Sequence, residues 1–134
     1  MAIDYVFTLF ENAEQFGIVF TLLPFGCDLK INIPLAKRFC ERKIEDIELS
    51  VRSLNGLKRA GILTLRQLTD AIMDGNRLSS VKNLGKKSIR EIKTRLLVLA
   101  YDDLNDKERI EFWCKFLKMN SGHIPYKDGG DNSD

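Results

Sequence analysis

The sequence predicts a mainly α-helical fold, and three observations carry that prediction. Four apolar runs between residues 50 and 100 recur at helical spacing, and each has a capping or breaking residue at an end. Two tight turns of apolar residue plus glycine, Ala60-Gly61-Ile62 and Asn83-Leu84-Gly85, each join two of those runs. Strand-like alternation is confined to one stretch, Leu29, Ile31 and Ile33 within Asp28–Ile33. The expected architecture is a compact double helix-hairpin-helix bundle with a small β-hairpin in the N-terminal flank.

In chain order, residues 4–16 suit an amphipathic helix, and Gly17 to Leu23 suits a strand pairing with Asp28–Ile33 across Pro24-Phe25-Gly26. Ser50 caps a first central helix with Val51, Leu54 and Leu57 inward, and Gly61 ends it in the left-handed region. Gly56 inside that helix costs about 1 kcal/mol against Ala unless another backbone must come close. Thr64 with Gln67 forms a capping box for a second helix with Leu65, Leu68 and Ile72 inward. After an Asp74-Gly75-Asn76 turn, a brief third helix covers Arg77 to Lys82. A fourth runs from the Asn83-Leu84-Gly85 turn to Leu99, with Ile89, Ile92, Leu96 and Leu99 on one stripe. Asn105 with Glu108 signals a last helix whose stripe is Ile110, Trp113, Phe116 and Leu117, expected to pack on the 1–40 segment. The domain plan is a flank at 1–40, a central domain at 41–101, a C-terminal helix at 102–120 and a disordered tail at 121–134.

Charge separates these parts more sharply than the net +2 of the 134-residue chain suggests. Residues 1–40 carry 3 basic and 4 acidic groups, residues 41–100 carry 13 and 7, and residues 101–134 carry 5 and 8. A basic centre thus lies between near-neutral and acidic ends. All 12 aromatic residues fall outside 41–100. A basic region without aromatics has no platform for stacking unpaired bases, which favours duplex backbone contact over single-strand reading. Aromatic ends offer either a core extension or a surface for a homodimer partner.

The stretch Asn83, Leu84, Gly85, Lys86, Lys87, Ser88 carries the most chemistry. A tight turn feeding a helix presents free N–H groups at its positive end, and two lysines and a serine there suit an anion. For a small basic domain that anion is a nucleic-acid phosphate. Glycine or asparagine is expected where φ is positive and the backbone must approach its ligand.

Other classes find little support. Cys27, Cys40 and Cys114 are odd in number and widely spaced, and His123 is the only histidine, so no zinc spacing exists. No cofactor is expected. No nucleophile–base pair or carboxylate dyad is evident, which argues against an enzyme. The N-terminus lacks the basic start of a signal peptide, and the apolar run Gly17 to Phe25 is too short to span a bilayer. A cytoplasmic protein without membrane contact is expected.

Ile44-Glu45-Asp46-Ile47-Glu48-Leu49-Ser50-Val51-Arg52-Ser53, then Asn55 and Leu57-Lys58, then Asn83 to Ser88 with Glu91-Ile92-Lys93, resemble the C-terminal domain of the bacterial RNA polymerase alpha subunit. The resemblance covers roughly residues 43–100 and implies a stand-alone domain without the family's amino-terminal assembly domain. It implies binding in the DNA minor groove with a preference for A/T-rich sequence. Arg52 would then enter the groove, Asn55 would bond beside it, and Gly85, Lys87 and Ser88 would hold phosphates. Glu91 would orient neighbouring basic groups, and Asp46 and Glu48 would face the sigma factor. Two extra residues near Met73–Asn76 set the sequence apart where the family meets activators.

A non-enzymatic, DNA-binding transcription module is the expected function, with double-stranded DNA, sigma factor, activators or RNA polymerase as partners. Two other readings stay open: an adaptor that binds transcription factors or sigma without DNA, and a helix-hairpin-helix accessory of DNA repair or recombination.

Overall fold

The computed structural model describes residues 8–20, 32–73, 77–82, 84–120 and 126–128. The expected Pro24-Phe25-Gly26 and Asp74-Gly75-Asn76 turns, Cys27, His123 and Asn83 lie outside these residues. Helix α1 covers residues 8–12, followed by a 3-10 turn at Ala13–Phe16 and strand β1 at Ile18–Phe20. Two 3-10 turns, Lys37–Phe39 and Ile44–Asp46, lead into α2 (Val51–Arg59) and α3 (Leu65–Met73). A 3-10 turn at Arg77–Ser80 stands where a third central helix was expected, and α4 (Lys86–Asp102), α5 (Asp106–Met119) and β2 (Tyr126–Asp128) follow. The fold is mainly α, as the periodicity predicts.

Local chemistry explains the helix starts. Ser50 accepts from the Ser53 N–H to cap α2. Thr64 and Gln67 form their box at α3, with Gln67 Oε1 taking the N–H groups of Leu63 and Thr64. Asn105 and Glu108 do the same for α5. Gly61 closes α2 at φ 78°. α3 is further anchored where the Leu65 and Arg66 N–H groups reach the carbonyls of Arg42 and Cys40 at 2.8 and 3.1 Å.

One continuous core runs through the helices. Leu57, Leu65, Leu68, Ile92 and Leu96 form its central part, and Leu9, Phe10, Ile33, Tyr101, Phe112, Trp113 and Phe116 extend it through the flanks. Phe10 lies 5.6 Å from Trp113 and 5.7 Å from Phe116 between ring centres. The buried Trp113 indole N–H donates to the Tyr101 hydroxyl at 3.0 Å, and that hydroxyl donates to Asn12. Three helices are thereby stitched by one run of polar groups. Phe10, Phe39, Tyr101, Phe112, Trp113 and Phe116 are all spent on this core. These six rings supply the core extension that the sequence offered as one of two roles for the aromatic ends.

Several inward positions also differ from expectation. Val51 is 74% exposed, and α2 instead buries Ser53, Gly56 and Leu57. The small residues there admit Leu84: a Cβ on Gly56 would sit 2.7 Å from Leu84 Cδ2 and 3.0 Å from its Cγ. On α5, Ile110 is 47% exposed, while Phe112, Trp113 and Phe116 turn inward. α4 buries Leu97, Ala100 and Tyr101 beyond its expected stripe, because the flanks cover its second face.

Most of the expected N-terminal hairpin, residues 21–31, lies outside the described residues, and the described pairing is a different one. β1 runs antiparallel to β2, with Ile18 opposite Asp128 and Phe20 opposite Tyr126. Part of the tail expected to be disordered thus forms a strand. Of the expected partner segment, Asn32 and Ile33 are described: the Asn120 amide accepts from the Asn32 N–H at 2.6 Å and donates to the Asn32 carbonyl at 2.8 Å. A side chain that pairs a backbone in both directions substitutes for a strand neighbour and ties residue 32 to the end of α5.

Gly56→Ala should destabilise the fold by about 1 kcal/mol net, since overpacking against Leu84 outweighs the helix-propensity gain. Thermal melting checks the sign, and Leu84→Ala in the same background should relieve the clash. Asn120→Ala should cost about 2 kcal/mol by leaving the Asn32 backbone unpaired, read as a lower denaturant midpoint.

Candidate nucleic-acid interface

The sequence marked two separate segments, α2 and the start of α4, and the structure brings them together. Glu91, one turn into α4 from Lys87 and Ser88, receives three hydrogen bonds from the N-terminus of α2. Its Oε1 accepts from the Ser53 and Ser50 hydroxyls at 2.5 and 2.9 Å, and its Oε2 from the Ser50 N–H at 3.1 Å. A carboxylate at a helix N-terminus also meets its positive end favourably. Burial pushes the Glu91 carboxyl up, but the serine hydrogen bonds and nearby Arg95 outweigh it, and the group sits below its ordinary value. Both oxygens accept from α2, so Glu91 ties the start of that helix to α4.

Around this clamp the candidate residues take distinct places. Arg52 and Asn55 are on one face of α2, and both are exposed. Lys86 and Lys87 are exposed in the first turn of α4, and Ser88 is half-buried. Gly85 enters α4 in extended conformation, φ −85° and ψ 177°, not in the positive-φ region expected for this turn. A Cβ added at Gly85 would meet nothing within 4 Å, so the protein itself leaves the space in front of it open. Lys93, in contrast, is partly buried, which pushes its ammonium down.

The two hairpins are not equivalent. At Ala60-Gly61-Ile62 the N–H groups of Gly61 and Ile62 bond Lys58 and Leu57 carbonyls at 3.0 Å. Those of Leu63 to Arg66 are taken by Gln67, Arg42 and Cys40. Every donor of the first hairpin is used within the protein. α4 begins differently: it is the longest described helix, it has no side-chain cap, and its first turn carries two lysines where acidic residues are favoured. That combination suits an external anion.

The acidic approach to α2 is paired internally. Glu45 meets Lys58 at 2.7 Å, Asp46 meets Arg42 at 3.1 Å and Glu48 meets Arg95 at 3.3 Å. The Lys58 contact holds the Glu45 carboxyl below its usual range. Asp46 and Glu48 thus stand beside α2 with cationic neighbours. Sequence spacing contained no signal for the Leu84–Gly56 contact or for the Ser53–Glu91 bond, because both depend on how α4 crosses α2.

Among the described residues no cluster of His, Cys, Asp and Glu could hold a metal, and no helix is long and apolar enough to cross a membrane.

Residues 32–97 match the family model for the C-terminal domain of the alpha subunit of bacterial RNA polymerase. The protein is similar to the DNA-directed RNA polymerase subunit alpha of Clostridium botulinum and to that of Clostridium kluyveri. Each is 39% identical over 91 residues, covering 65% of this sequence and 28% of the relative. The sequence thus spans little more than a quarter of the length of these relatives. No solved structure matches it at a significant level.

Glu91→Gln should loosen the junction of α2 and α4 and lower stability by about 1–2 kcal/mol near neutral pH. Because the folded carboxyl titrates below its ordinary value of 4.5, that advantage is present above the ordinary value and lost as pH falls through the folded one. Melting temperatures of wild type and variant should therefore differ at neutral pH and converge in acid.

Proposed function

The protein belongs, through residues 32–97, to the family of C-terminal domains of the bacterial RNA polymerase alpha subunit, and from that premise we propose that it is a duplex-DNA-binding transcription module. Arg52 and Asn55 enter a minor groove, while Gly85, Lys86, Lys87 and Ser88 grip the adjoining phosphates. The observation that carries this reading is the start of α4, uncapped, lysine-bearing and open in front of Gly85, clamped by Glu91 beside the Arg52 face.

The physical logic is a division of labour. Backbone N–H groups and lysines at a helix start supply sequence-independent affinity. An arginine guanidinium is drawn to narrow A/T-rich grooves, where negative potential is concentrated, and this supplies preference. Asn55, one turn on, adds donors and acceptors to the same face. Glu91 holds the two parts in register and does not itself meet DNA, since like charge would repel phosphate. Asn83, three residues before Lys86 in the sequence, is assigned to the same proposed phosphate site from the sequence alone.

Protein partners fit the same reading. Asp46 and Glu48 offer a basic segment of sigma an acidic edge, with Arg42 and Arg95 displaced as the partner's cations take their place. Activators and the polymerase itself are further proposed partners, and a bacterial cytoplasmic location follows.

Fluorescence anisotropy of the full-length protein on A/T-rich and G/C-rich duplexes tests the proposal. With about three to five phosphates neutralised, affinity should fall roughly 40- to 500-fold between ~50 and ~200 mM salt. Arg52→Ala should weaken A/T binding about tenfold or more and erase the preference. Equal binding to both duplexes would point to a repair-type helix-hairpin-helix protein, and a folded protein that binds neither duplex would leave the adaptor.

A further inference from the structure

We propose that Arg59 is a second phosphate anchor, at the far end of α2 from Arg52, which widens the DNA footprint beyond the α4 start. This inference rests on the duplex-binding reading above. Arg52, Asn55 and Arg59 stand at i, i+3 and i+7, a spacing that puts all three on one helix face. Arg52, Asn55 and Arg59 are all exposed, while Ser53, Gly56 and Leu57 are the buried residues of the same helix. Two helical turns separate Arg52 from Arg59, about 10 Å along the axis. A guanidinium at the far end therefore reaches a different phosphate from those held beside Arg52.

Two further observations single out Arg59 from its neighbours. The adjacent Lys58 is neutralised by Glu45 at 2.7 Å, whereas Arg59 has no ion-pair partner among the described residues. The first hairpin, which directly follows Arg59, has its N–H groups taken by Lys58, Leu57, Gln67, Arg42 and Cys40. In the second hairpin, backbone and lysines serve the anion together; at the first, only a side chain is left to do so. Arg59 is the side chain placed there, and its fork of donors suits a phosphate. The basic ridge thus has a reading end at Arg52 and a purely electrostatic end at Arg59.

The test is the salt dependence of duplex binding by the full-length protein, wild type against Arg59→Ala, Arg59→Lys and Arg52→Ala. Losing one phosphate contact reduces the slope of log affinity against log salt by about 0.9. Arg59→Ala should show that reduction and bind several-fold more weakly to A/T-rich and G/C-rich duplexes alike, leaving their ratio unchanged. Arg59→Lys should keep the slope, because charge alone is required. Arg52→Ala should instead change the ratio. A slope unchanged in a folded Arg59→Ala protein overturns the inference and assigns Arg59 to the C-terminal end of α2, where a cation favours the helix dipole. Wild type that binds neither duplex overturns the DNA reading itself, a result distinct from failure at Arg59.

Discussion

Glu91 is a carboxylate from one helix spent on the start of another, and the arrangement of the basic face depends on that bond. Three donors of the α2 N-terminus converge on it, and Leu84 presses onto Gly56 one turn further along. Together these contacts bring the α4 start against α2 with no room for a larger residue at position 56. A polar clamp and an apolar contact thus join the helix of Arg52 to the helix of Lys87. Against the push of burial, the same serine hydrogen bonds keep the Glu91 carboxyl below its ordinary value, so the clamp holds as a charged group.

The opposite side of the molecule supplies rigidity. Trp113, Tyr101 and Asn12 form a hydrogen-bonded series through three helices, and Phe10, Phe112 and Phe116 close around it. α4 is shared between the two halves: its first turn meets the candidate ligand space and its last turns lie in the aromatic core. Anchoring a long helix at its far end restrains its near end, which benefits a site built on backbone geometry. Asn120 and the β1–β2 pair join the two flanks on the aromatic side. The basic face is left uncovered by the described residues of either flank.

Much of the central domain was legible in the sequence, because its signals are local. Ser50, Thr64 with Gln67, Gly61 and Asn105 with Glu108 act on their own neighbours, and all perform the capping or termination that their positions imply. The flanks were less legible, since their partners are remote. Residue 32 pairs with the Asn120 amide and β1 with β2, more than 80 residues away in each case, and no alternation pattern encodes that choice. Val51 and Ile110 misled for another reason: apolar spacing alone does not say which side of a short helix faces in. The site residues were visible as residue types, but their convergence was not. It depends on Gly56 admitting Leu84, an interhelical contact that glycine in a helix hints at without naming its partner.

The central claim is that the starts of α2 and α4 act as one DNA-binding surface. Backbone amide chemical shifts of the full-length protein, followed while an A/T-rich duplex is added, test it most directly. The account predicts concerted changes at Arg52, Asn55, Gly85, Lys87 and Ser88, with α5 undisturbed. Changes confined to α5 or to the acidic stretch at 45–48, or changes at one helix start without the other, would contradict it.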